Sequence, residues 1–136
     1  MAARSLPVLA GPSRGSALGL LEQARAVLAE ADRADDAGER FRLAHLSALR
    51  SAAAVSAQRG WPAGARRRLL SVWVLLERVA PEYGDWASFF AAGAPVRAAV
   101  EAGAWSAVST RTADDQVRAA HEFLTLVEDT VGLLAA

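Results

Sequence analysis

Apolar residues recur along most of this chain at three- and four-residue spacing, and nowhere do they alternate with a period of two between hairpin turns. Leu20, Leu21, Ala24, Val27, Leu28 and Ala31 form the first such stripe, with Glu22, Arg25, Glu30 and Arg33 off it. The spacing predicts a helix that starts after Ser16, a good N-cap, and stops before Asp35, Asp36 and Gly38. A second helix is predicted from about Asp36 to Arg59, with Phe41, Ala44, His45, Ala48, Leu49, Ala52 and Val55 on one face. Its many alanines imply close approach of a neighbouring helix axis. Gly60, Pro62 and Gly64 end it.

Ala65 to Ala80 reads as a third helix, apolar on more than one face through Leu69, Leu70, Val72, Trp73, Leu75, Leu76 and Val79. A helix apolar nearly all round is central, or covered by a second subunit. Pro81 opens a short helix carrying Tyr83, Trp86, Phe89 and Phe90 before Gly93, and Ala94 to Gly103 makes another around Pro95. Trp105 to Thr110 reads as a loop, after which Thr112 and Asp115 have the spacing of a capping arrangement. The last helix has the stripe Val117, Ala120, His121, Leu124, Val127, Val131 and Leu134. The expected fold is an all-α, up-and-down bundle of five or six helices.

With 136 residues and 53% of them hydrophobic, the chain can bury one core without staples. Residues 1–15, broken by Pro7, Gly11, Pro12 and Gly15, read as a flexible tail, and 16–136 as a single domain. The longest apolar run, Leu69 to Leu76, is too short to cross a bilayer, so a cytoplasmic protein without membrane contact is expected. There is no cysteine, which excludes disulfides and thiolate chemistry. The two histidines, His45 and His121, lack the spacing of a metal pair, so neither metal nor cofactor is expected. Fifteen basic residues, all arginine, balance fifteen acidic ones, so any attraction to nucleic acid must be local.

Two local clusters can carry chemistry. Arg40 and His45 are an arginine followed after four residues by a histidine. Together such groups suffice for metal-free RNA cleavage through the 2′-hydroxyl, the histidine moving the proton and the arginine stabilising the phosphate. On one helix they lie roughly 140° apart, and Arg42 is the better-placed neighbour of His45. The plainer alternative is that His45 is a core-edge histidine bonded to a carbonyl. Arg66, Arg67 and Arg68 can bind phosphates with Trp61 stacking a base, or can simply be solvated. The aromatic group Trp73, Tyr83, Trp86, Phe89 and Phe90 reads as core, and Asp114 and Asp115 as first-turn residues complementing a helix dipole.

Three segments carry a family resemblance: Glu39 to Val55, ERFRLAHLSALRSAAAV; Ser71 to Gly93, SVWVLLERVAPEYGDWASFFAAG; and Asp114 to Glu128, DDQVRAAHEFLTLVE. In them the chain resembles an actinobacterial family of HEPN domains, small helical modules named for higher eukaryotes and prokaryotes nucleotide-binding proteins. The resemblance implies an up-and-down bundle that dimerises. Many such domains are metal-independent ribonucleases whose Arg-x4–6-His motifs meet across the dimer; others are inactive modules that bind RNA or a protein. By that resemblance Arg40 and His45 are the catalytic candidates; the local charge makes Arg42, Arg66, Arg67 and Arg68 the nucleic-acid-binding ones. Three functions stay open: a non-catalytic dimeric module binding RNA, a nucleotide or a protein partner; a toxin-like metal-free ribonuclease; and a structural adaptor without nucleic-acid contact.

Overall fold

The computed structural model describes residues 15–60 and 71–135, in which five α-helices and two short 3-10 turns form an all-α bundle without strands. Helix α1 spans Ala17–Arg33, α2 Ala37–Arg59, α3 Val72–Val79, α4 Gly84–Glu101 and α5 Thr110–Ala135. The 3-10 turns are Pro81–Tyr83 and Trp105–Ala107.

Side-chain oxygens start the helices by accepting from backbone N–H groups that have no partner of their own in a first turn. Ser16 accepts from Gly19 (3.0 Å), Asp36 from Glu39 (2.9 Å) and Ser71 from Val74 (3.2 Å). Helix α2 ends at Gly60, whose φ of 91° a side chain would strain.

Helix α2 is the axis of the bundle. Ala44, Ala48, Ala52 and Ala54 are fully buried along it, which lets α1 and α5 approach on either side. Two of its three buried serines are bonded, Ser47 donating to the Ala24 carbonyl across the interface at 2.8 Å and Ser51 to the Ser47 carbonyl at 3.1 Å, whereas the Ser56 hydroxyl has no partner. Helices α1 and α2 run antiparallel, and α1 and α5 are clasped by the ion pair Arg25–Glu128 and by the hydrogen bond of His121 to Asp32. The second layer is α3 and α4, whose rings fill the space over α2 and α5. Phe90 and Phe123, both fully buried, meet at 5.4 Å, with Trp73 and Trp86 stacked on Phe90 at 5.3 and 6.1 Å. Each such ring contributes about 1.5–3 kcal/mol of burial energy.

Three boundaries and the burial of one residue differ from the sequence expectation. Helix α3 starts at Val72, because Ser71 adopts an extended ψ of 155° and caps it; a helix continuous from Ala65 is ruled out. Arg66, Arg67, Arg68 and Trp61 lie outside the described residues, as does the segment 1–14. The two short helices expected around Gly93 and Pro95 are one, α4, which runs through both. Pro95 offers no N–H to the carbonyl of Ala91, but Ala91 is on the exposed side, where water can satisfy it, and Phe90 and Val100 anchor the helix on either side. Before α5, a 3-10 turn occupies part of the expected loop and Ser109, not Thr112, is the cap, accepting from the Thr112 N–H at 3.1 Å. Finally, His121 is outside the apolar stripe, its side chain 50% exposed and bonded to Asp32. Among the described residues no helix is long and apolar enough to cross a membrane.

Candidate functional site

The sequence places His45 on the inner face of α2, one turn after Phe41, and the fold closes α3 and α4 over it. Its exposure is zero. Phe41 stacks along it at 6.1 Å, and Trp73 and Phe90 stand edge-on at 5.7 and 6.3 Å. Helix α4 approaches so closely that a Cβ on Gly93 would lie 3.1 Å from the imidazole Cδ2 and 3.2 Å from the Phe41 ring. Gly93 is therefore the residue that lets the lid sit down on His45.

The hydrogen bonding fixes the tautomer. Nε2–H donates to the Phe90 carbonyl at 2.8 Å, so the neutral ring carries its lone pair on Nδ1, which has no partner. Burial pushes the histidine below its ordinary pKa; the Phe90 carbonyl opposes this, and the positive charge of Arg97 adds to it. A ring in this state is neutral at physiological pH and screened from solvent on all sides.

Arg40 leaves α2 in another direction. Its guanidinium donates to the Ala31 carbonyl near the end of α1 (3.1 Å) and to Asp114 (2.8 Å), which, like Asp115, lies past the first turn of α5 and not in it as the sequence suggested, because α5 begins at Thr110. Within the chain, then, the fold does not bring Arg40 and His45 together: Arg40 ties three helix ends, whereas His45 fills the core. Arg42 pairs with Glu39 one turn earlier at 2.6 Å, a contact that raises its pKa. Asp114 and Asp115 are both engaged by arginines, Arg40 and Arg118.

Directly outside the Phe41–Gly93 seat is an open groove of about 300 Å3 between α2, α4 and the start of α5. Phe89, 46% exposed, stands at its edge. On the opposite side Gln116 is 4% exposed, and its amide nitrogen is buried with no partner. Gly93 and Gln116 were both missed by motif reading, yet Gln116 had a signal. It occupies the position between Ala113 and Ala120 that the helical period of α5 assigns to the core, where an amide is out of place. On the other flank of α4, a smaller hollow of about 140 Å3 is bounded by Trp73, Val74, Ser88 and Ala91.

Among the described residues, no group of three His, Asp or Glu side chains is placed to hold a metal ion. No curated protein and no solved structure matches the chain. A family model of SAV-type HEPN domains matches residues 31–128, from the end of α1 through most of α5, and so includes the His45 seat, the α4 lid and the groove. By that match over more than half its length, the chain belongs to this HEPN family.

Proposed function

We propose that this chain is a non-catalytic HEPN module that works by association, as a homodimer that recruits a protein partner. The burial of His45 carries the reading. A general acid or base must reach the proton it moves. Here one imidazole nitrogen is committed to the Phe90 carbonyl and the other is buried without a partner, while the arginine five residues earlier is paired with Asp114.

A face on α4 supports association. From Trp86 to Val96 the helix carries no charge, yet Ser88, Ala91 and Pro95 are exposed, and Val74 of α3 beside them is 41% exposed. Apolar helical surface of this kind is normally covered, and a patch of small side chains suits the self-complementary contact of a two-fold dimer. Six of the ten described arginines, Arg25, Arg40, Arg42, Arg59, Arg97 and Arg118, face a carboxylate, which supports a protein over a phosphate-rich partner. Arg66, Arg67 and Arg68 are the residues through which RNA binding would act.

The test has two arms. Incubated with mixed-sequence RNA in EDTA, the wild-type protein leaves the RNA intact; cleavage that is lost in folded Arg40→Ala and His45→Ala proteins would make it a ribonuclease instead. In light scattering the wild type has the mass of a dimer and Ala91→Glu that of a monomer, whereas a monomeric wild type across micromolar concentrations removes the dimer. RNA binding that weakens steeply with salt and with loss of Arg66–Arg68 would change the partner from protein to RNA.

A further inference from the structure

We propose that α4 is an acid-released lid: protonation of His45 drives α4 off the layer formed by α1, α2 and α5 while that layer stays folded. The device belongs to the single chain. Where α4 forms the dimer proposed above, its release also undoes that dimer, and this consequence alone rests on the dimer reading.

Helix α4 is attached to the layer beneath it mainly by apolar contact. Phe90 and Val100 are its fully buried anchors, and among the described residues the 2.8 Å bond from His45 Nε2–H to the Phe90 carbonyl is the one hydrogen bond that joins it to another helix. The layer itself is cross-tied without α4. Ser47 bonds α2 to Ala24 of α1, Arg40 bonds α2 to Ala31 of α1 and Asp114 of α5, and Arg25 and His121 join α1 to α5. The ends of α4 allow a swing. The 3-10 turn before it is pinned by Tyr83 to Thr130 at 2.6 Å and by Glu82 to Arg59, so Gly84 is where the chain can turn. After it, Gly103 takes a φ of 100°, a conformation open to glycine and strained for other residues.

Nδ1 of His45 supplies the trigger. The ring is fully buried and this nitrogen has no partner. A proton added there creates a second N–H and a positive charge with no acceptor in place, while Nε2–H keeps its own bond. The surrounding charges do not compensate. On α2, Arg42 is paired with Glu39, and on α4 the positive Arg97 acts on the ring more strongly than Glu101 does. On α3, Glu77 and Arg78 are exposed; on α5, Gln116 is uncharged and Asp114 and Asp115 are held by Arg40 and Arg118. Burial accordingly keeps the closed ring below its ordinary pKa. Lifting α4 removes Phe90 and Gly93 from the ring and admits water to Nδ1, without giving up the contacts among α1, α2 and α5 that unfolding of the whole chain would forfeit.

The sign follows from proton uptake. Above the ordinary 6.5 the ring is neutral in both states and the lid stays down; below it the open state binds a proton that the closed state does not. While the closed ring remains neutral, the open population rises about 25-fold between pH 7 and 5.

Amide hydrogen exchange at pH 7 and 5, corrected for intrinsic exchange rates, tests this residue by residue. Amides of α4 are expected to be less protected than those of α1 and α5 at both pH values, and their protection to fall about 25-fold at pH 5. That fall should vanish in His45→Leu and in His45→Gln, which keeps a neutral donor for the Phe90 carbonyl. Equal protection of α4, α1 and α5, the mark of opening only by whole-chain unfolding, would overturn the proposal, as would the same fall in both variants. Light scattering at the same pH values reads the consequence. A wild-type dimer that becomes monomeric at pH 5 while the variants stay dimeric links the lid to association; a wild type monomeric at both pH values overturns the dimer reading, and the exchange result still decides the lid.

Discussion

Replacing His45 with leucine should remove a defined part of the pH dependence of stability. In the folded state the imidazole is neutral and buried, and its pKa is lowered; in the unfolded chain it titrates near its ordinary 6.5. The unfolded state therefore binds the extra proton as pH falls, so the stability associated with neutral His45 is present above 6.5 and is lost as pH drops below it. If the folded ring stays unprotonated down to pH 5.5, the loss between pH 7 and 5.5 is about 1.2 kcal/mol, since each pH unit below the unfolded pKa approaches about 1.4 kcal/mol. Most carboxylates remain ionised in that interval, so the signal is not masked by acid denaturation at large. Leucine is close to imidazole in volume. It gives up the bond to Phe90, about 0.5–1.5 kcal/mol, but also removes the unpaired Nδ1, whose burial costs about 1–3 kcal/mol. The variant should therefore fold, with stability at pH 7 within about 1 kcal/mol of wild type. Urea unfolding followed by tryptophan fluorescence at the two pH values gives the comparison, and Trp73, 5.7 Å from the imidazole, is a local reporter. Equal losses in wild type and His45→Leu between pH 7 and 5.5 would refute the reasoning.

Other substitutions probe the seat and its lid. In Gly93→Ala the gain in helix propensity, about 1 kcal/mol, competes with contacts of 3.1 and 3.2 Å to His45 and Phe41. Phe41 can yield toward the groove, but His45 is pinned by its hydrogen bond, so a net loss of about 1 kcal/mol is expected in urea titrations; a gain would show the seat to be loose. His45→Ala empties a site enclosed by three aromatic rings and should cost about 2–4 kcal/mol, read from the same titrations. Pro95→Ala restores a backbone donor opposite the Ala91 carbonyl and should raise thermal stability by about 1 kcal/mol, whereas a loss would mean that the ring packs against something in the native protein.

The sequence pattern located the helices well where periodicity and a capping side chain coincide. Ser16 and Asp36 announce α1 and α2, and the alanines of α2 imply the close approach that the fold displays. It misplaced the start of α3 because Leu69 and Leu70 extend the apolar pattern back across Ser71, whose capping role depends on a backbone turn that composition does not encode. Pro95 reads locally as a helix start, and only packing by Phe90 and Val100 lets α4 continue through it. His121 fits a three- and four-residue spacing with Val117 and Leu124, but the buried face of α5 runs through Ala120, Phe123, Leu124 and Val127 and leaves His121 at its exposed edge, where it bonds to Asp32. The Arg40–His45 spacing was legible as a motif. What it could not convey is that Arg40 would be taken by Ala31 and Asp114, both brought in from other helices, and that Gly93 would seal His45 beneath α4.

Diethyl pyrocarbonate acylates neutral imidazole only where the reagent can reach a free nitrogen, and the chain holds two histidines in opposite settings. Treatment of the folded protein at neutral pH followed by peptide mass spectrometry should modify His121, whose side chain is 50% exposed, and leave His45, with no exposure, unmodified until denaturant is added. Modification of His45 in the native protein at a rate comparable to His121 would contradict its place as a sealed core residue and return it to the catalytic candidates.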